Sequence, residues 1–175
     1  MHVFVMRRIA RRTASFAGAL LAAGLLAAGP ASAFTYSWDV ALSGKDIIDS
    51  GLPGIASASG TAHITGDNVA NRMCGTFTWS GVAPPVGFGH IHEGQYGQPE
   101  NVGVTINLFG PPTSTSGFQS GVTGCTTVPG ALIDKMDRYD AYFNVVVHNV
   151  QFPGGAIRGQ LGCGNLLFNW DCGGF

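Results

Sequence analysis

Residues 34–42 read FTYSWDVAL. Phe34, Tyr36, Trp38, Val40 and Leu42 alternate with Thr35, Ser37, Asp39 and Ala41. Successive side chains of a strand point to opposite faces, so this alternation predicts a half-buried β-strand with its aromatic and branched face inward. What surrounds the stretch is read from this starting point in both directions.

Immediately upstream, Arg7, Arg8, Arg11 and Arg12 precede an apolar run from about Phe16 to Ala28, and Ala31-Ser32-Ala33 follows. A basic segment, a short apolar segment and small residues at a cleavage site predict a secretory signal peptide over residues 1–33. The apolar run falls short of the ~20 residues a membrane span needs, so no retained membrane anchor is expected. The arginine pairs leave the route, general secretory or twin-arginine, open. Cleavage after Ala33 leaves 142 residues, the size of one domain. It also leaves five basic against ten acidic residues, a net charge of about −5. Nucleic acid and anionic membrane surfaces recruit clustered Lys and Arg, and are excluded as partners on this ground. The expected location is periplasmic or secreted.

Downstream, residues 45–57 break the alternation with Gly and Pro and are read as a loop. Residues 59–82 read as two strands joined around Gly66-Asp67-Asn68, with Phe77 and Trp79 facing inward. Strands follow over residues 86–94 and 101–110. Residues 110–127 are polar and glycine-rich, with one short strand expected near Phe118. Residues 129–143 hold the one convincing helical pattern, with Pro129 at its start and Leu132, Ile133 and Met136 on one face. Two further strands, joined by the turn 151–155, close the chain. Twenty-seven glycines, nine prolines and seven or eight short strands predict an all-β fold. The specific expectation is an antiparallel Greek-key β-sandwich of immunoglobulin or superoxide-dismutase type with one short helix.

Four cysteines, Cys74, Cys125, Cys163 and Cys172, all follow the cleavage site. An even number in an exported chain predicts two disulfides, and none of the spacings is CxxC. Four cysteines allow three pairings, and of these Cys74–Cys125 with Cys163–Cys172 is the expected one, the second bond stapling a C-terminal tail over residues 163–175.

The chemistry-bearing residues are few. His90 and His92 alternate on one strand and so share a face, with Phe88 beside them. His148 lies on a strand that turns back at Pro153-Gly154, which brings Arg158 near it across the hairpin. If that strand passes beside the one carrying His90 and His92, three imidazoles and a guanidinium cluster, and such a set of imidazoles suits copper or zinc. The competing reading makes these histidines buried neutral groups bonded to backbone, or exposed groups at one end of the sandwich. The only other histidine after the cleavage site is His63, a poor fourth ligand on a different strand. No nucleophile elbow, P-loop or dinucleotide fingerprint is present. Glu93 and Glu100 read as solvated loop acids; Tyr36, Trp38 and Trp79 read as core, and Trp170 packs back from the tail.

GHIHEGQYGQPENVGVTINLF, then a helical stretch, VVVHN and FPGGAIRGQL, in that order, resemble the CHRD domain, a module named for its repeats in chordin and also present alone in exported bacterial proteins. The resemblance covers residues 34–162. It implies a β-sandwich without an established catalytic activity, acting by binding or scaffolding, its partner another protein or an envelope component. Gly89, Val146 and Ala156 stand where the family commonly has Ala, Asn and Glu, so no supporting hydrogen bond from that Asn or Glu carries over. The His-x-His pair, the later strand histidine and the late arginine are also similar in outline to copper/zinc superoxide dismutase. That likeness implies copper ligands at His90, His92 and His148 and an anion guide at Arg158. The dismutase zinc ligands have no counterpart, so the enzymatic alternative is a copper-only one. Non-catalytic binding is the reading this sequence favours, with copper binding as the alternative.

Overall fold

The computed structural model describes residues 34–95, 103–111 and 117–164. All belong to one compact unit, Ala31–Phe175. The expected signal peptide, Glu100, Trp170 and the Cys163–Cys172 pairing lie outside the described residues. Among the described residues no helix is long and apolar enough to cross a membrane.

Eight antiparallel strands follow in chain order: β1 (Thr35–Ser43), β2 (Ser59–Asp67), β3 (Arg72–Ser80), β4 (Val86–Glu93), β5 (Val104–Phe109), β6 (Gly121–Thr127), β7 (Phe143–Asn149) and β8 (Ile157–Gln160). The leading strand forms as its alternation predicts. Trp38, Val40 and Leu42 are buried, Tyr36 is half-buried and Phe34 is exposed where the strand begins. β1 pairs with β2 and β2 with β3 along their whole lengths, Trp38 opposite Ile64 and Ala62 opposite Phe77. The β2–β3 turn forms just beyond the expected residues. Asp67 Oδ1 accepts from the backbone N–H of Val69 and Ala70, and Asn71 takes a left-handed φ of 52°. A short polar side chain tolerates that conformation.

Hydrogen bonds join all eight strands into one sheet, in the order β5-β4-β7-β8-β1-β2-β3-β6, where two facing layers were expected. The sheet curls until its two edges approach. A side chain at Gly124 of β6 would strike the Leu108 carbonyl of β5, so the sheet is nearly closed. Inside lies Phe109, in ring contact with both Phe77 and Trp79, with Ile64, Met73, Ile91, Val145, Val147 and Ile157 also in the core. A curled sheet lets one set of inward faces bury its apolar side chains without leaving a long open edge.

Three sequence expectations require correction. Residues 45–49, the start of the stretch read as loop, belong to a helix, α1 (Gly44–Asp49). Ser43 Oγ accepts from Lys45 N at 3.0 Å, which caps it, and Ile47 is fully buried. Six residues are too few for helical periodicity to show. The strand placed near Phe118 is β6, residues 121–127; Phe118 makes only an isolated bridge to Val86. GVTGCTT lacks apolar alternation because its inward positions include Gly124, where β5 comes close. The helical stretch is shorter than expected: α2 (Gly130–Arg138) follows Pro129, and Asp140–Tyr142 continue as a single 3-10 turn. Ile133 and Met136 are buried and Leu132 packs against the core, as their shared face requires. Among the described residues there are thus two α-helices, not one.

Cys74 and Cys125 stand directly opposite each other on β3 and β6 and are disulfide-bonded. This bond ties the β6 edge to the sheet.

Candidate metal centre

β7 is buried at every residue, which an ordinary half-exposed strand is not. One of its faces, Val145 and Val147, enters the core. The other presents Asn144, Val146 and His148 away from it. β4 lies alongside with His92 opposite Asn144, His90 opposite Val146 and Phe88 opposite His148. On the other side of β7, β8 places Gln160 opposite Asn144 and Arg158 opposite Val146. The strand period of two therefore gathers three histidines, two amides and an arginine on one face. The backbone following β4 covers part of that face. Gly94 O accepts from Asn144 Nδ2 and Gln160 Nε2, and Gln95 O accepts from Arg158 Nη2 at 3.0 Å. α1 covers another part, Ile47 and Val146 both closing on Gly155. Gly155 has φ 133°, a conformation glycine alone adopts without strain.

Within this layer His90, His92 and His148 bring one ring nitrogen each to within 4.8 Å of one another. The ring centroids are 5.7 Å apart for His90–His92, 4.9 Å for His90–His148 and 5.9 Å for His92–His148. Nitrogens bound to one ion at about 2.0–2.1 Å lie no more than about 4 Å apart. The trio has to draw in by less than about 1 Å to share an ion, within the reach of small χ adjustments.

His148 is oriented for this. Its Nδ1–H donates to the Pro153 carbonyl oxygen at 2.9 Å, which leaves Nε2 as the lone-pair nitrogen. The hairpin makes that bond, since the β7–β8 turn returns Pro153 to the ring five residues earlier. His148 Nε2 and His90 Nδ1 are both buried and have no hydrogen-bond partner among the described residues. A buried nitrogen left so loses its hydration without compensation. Burial pushes both groups down to about 4, helped for His148 by His90 and opposed by the Pro153 bond, and helped for His90 by His92. At neutral pH both rings are uncharged, the form that ligates a metal.

Arg158 is diagonal to His148 rather than opposite it, and is 2% exposed. Besides its bond to Gln95, it acts on Asp46 of α1. Burial pushes the Asp46 carboxyl up, Asp49 adds to that, and Arg158 pulls it down. His63 stands apart from the trio on β2, exposed and 2.7 Å from Asp39 of β1. Glu93 is ion-paired to Lys135 at the surface, and Tyr36 donates to Asp134 at 3.0 Å. Sequence reasoning missed Asn144 and Gln160, whose alternation with core residues carries no polar signal of its own. It also missed a cleft of about 630 Å³ above the trio, edged by Phe88, Val104, Val150 and Pro153.

Neither curated proteins nor solved structures give a match to the chain. The family model of the CHRD domain matches residues 39–161, the span from β1 through β8 that builds both the curled sheet and its histidine-bearing face. The chain belongs to the CHRD domain family.

Proposed function

We propose that this chain is an exported CHRD-domain protein that holds one copper ion on His90, His92 and His148. The observation that carries this reading is the convergence of three imidazoles, each with a ring nitrogen within 4.8 Å of the others, in a layer where His90 Nδ1 and His148 Nε2 are buried without a hydrogen-bond partner among the described residues. Neutral imidazoles suit copper and zinc, and among divalent ions copper binds such a set most tightly. Three protein ligands leave a coordination position facing the cleft. Purified protein given Cu(II) is expected to retain about one equivalent, with an EPR spectrum of nitrogen ligation. The double variant His90→Ala/His148→Ala is expected to retain none; equal retention by both proteins overturns the reading. Export rests on the basic-apolar-small order of residues 1–33, and mature protein beginning at Phe34 by N-terminal sequencing checks it.

The second reading is a metal-free binding or scaffolding module for another protein or an envelope component. In its favour are the exposed Phe88, Val104 and Val150 on the histidine-bearing side. A dismutase activity is supported less, because the buried Arg158 donates to Gln95 O and lies off the histidine pair line, where an anion guide needs an open guanidinium. The Greek-key part of the proposal draws on strand order. Closing β5 onto β6 gives the order β1-β2-β3-β6-β5-β4-β7-β8, in which β4, β5 and β6 are consecutive neighbours and β3 returns beside β6.

A further inference from the structure

The cleft above the histidine trio has a character that the trio alone does not dictate. Its volume is about 630 Å³, in the range that holds a small organic molecule rather than a diatomic one. His90, His92 and His148 lie in its lining, and so do Phe88, Val104, Val150 and Pro153. Phe88 is 37% exposed, Val104 50% and Val150 75%, so the apolar edge stands open to solvent rather than being buried in the core. No Lys, Arg, Asp or Glu is among the described residues lining the cleft. A site selecting a small anion gathers positive charge at its mouth, and this one presents hydrocarbon. The polar lining groups are the three histidines and Asn149, and His148, 8% exposed, keeps beneath this lining a buried Nε2 with no hydrogen-bond partner among the described residues. Its other nitrogen is held by Pro153, which is itself part of the cleft wall.

We propose that the cleft binds a neutral molecule with an apolar or aromatic body and a single lone-pair donor, the donor completing the coordination of the copper and the body lying against Phe88, Val104 and Val150. This rests on the copper reading above and adds the class of the fourth ligand to it. The selectivity follows from opposite requirements at the two ends. At the bottom only a group with a lone pair satisfies the metal, while at the edge burial favours carbon and leaves a charged body without a partner. Imidazole satisfies the first requirement alone, and 4-phenylimidazole satisfies both.

The test uses the full-length purified protein loaded with Cu(II), with copper content measured on the same sample before each titration. Imidazole, 4-phenylimidazole and azide are added separately, and the change in the copper visible and EPR spectra is followed. The expected result is binding of 4-phenylimidazole at least tenfold tighter than imidazole, with azide weakest. The variant Phe88→Ala/Val150→Ser is expected to retain the full copper content while losing most of that tenfold preference. Equal affinities for the two azoles, or azide binding tightest, overturn the cleft proposal and leave the copper reading standing. A preference unchanged in Phe88→Ala/Val150→Ser also overturns it, since the edge then contributes nothing. Absence of copper from the loaded wild type is the separate failure, that of the copper reading, and removes the fourth ligand with it.

Discussion

His148 shows how one side chain serves two purposes: Nδ1–H is held by the Pro153 carbonyl, which leaves Nε2 as the lone-pair nitrogen of a ring that sits beside His90 and His92. In the metal-free protein the His90 and His148 rings take up a proton only near pH 4, whereas an unfolded imidazole does so near 6.5. Between these values the unfolded chain binds more protons than the folded one, so falling pH favours unfolding. The stabilising contribution is complete above pH 6.5 and is lost as pH falls toward 4. Each ring contributes at most about 1.4 kcal/mol per pH unit, with the less buried His90 contributing less. Urea denaturation of metal-free protein across this window is expected to show the decline, and His90→Ala/His148→Ala to show a shallower one. Gly89, next to the histidine pair, is decided by packing. A β-carbon there would enter the Phe109 ring, whose retreat is blocked by Phe77 at 5.0 Å and Phe118 at 5.3 Å between centroids. Gly89→Ala is therefore expected to cost about 1–3 kcal/mol by overpacking. A denaturation midpoint unchanged from wild type contradicts that account.

At the scale of elements, the alternation in β1 and the paired Phe77 and Trp79 of β3 made those strands readable, because half-buried strands write their burial into every second residue. β6 was misplaced because an edge strand that packs glycine against its neighbour writes no such pattern. α1 was missed because its helix is less than two turns long, and Ile47 is buried by the chain around it rather than by periodicity. β7 was found as a strand, but FNVVVHN does not announce that both its faces are covered. The Cys74–Cys125 bond joins β3 to the β6 edge across a sequence separation of 51. By loop-closure entropy such a bond stabilises by about 4 kcal/mol, and measured values commonly fall below that figure. Cys74→Ser/Cys125→Ser is expected to lower stability by about 2–4 kcal/mol in denaturant titration, while leaving copper content unaltered, because the bond lies on the β3–β6 side of the sheet and the histidines lie on β4 and β7.

For the whole molecule, the copper reading makes metal and fold thermodynamically linked. An ion bound by the folded state alone stabilises it by about 2.7 kcal/mol when its free concentration is a hundred times its dissociation constant. Added Cu(II) is therefore expected to raise the melting temperature of the wild type and leave that of His90→Ala/His148→Ala in place, read by calorimetry. A rise of equal size in both proteins assigns the effect to other sites. The sequence by itself determined the all-β class, most of the strands, the even set of cysteines and the candidacy of His90, His92 and His148, since each of these is written in residue type and local spacing; which cysteines pair was decided by the β3–β6 register. Only the tertiary structure decided that the strands share one nearly closed sheet, and that β4 and β7 are neighbours whose registers set the three rings face to face. It alone turned Arg158 toward Gln95 and opened an apolar-edged cleft over the histidines. Those outcomes depend on which strands pair and on what covers each face, and both are settled by contacts between residues far apart in the chain, which no local pattern records.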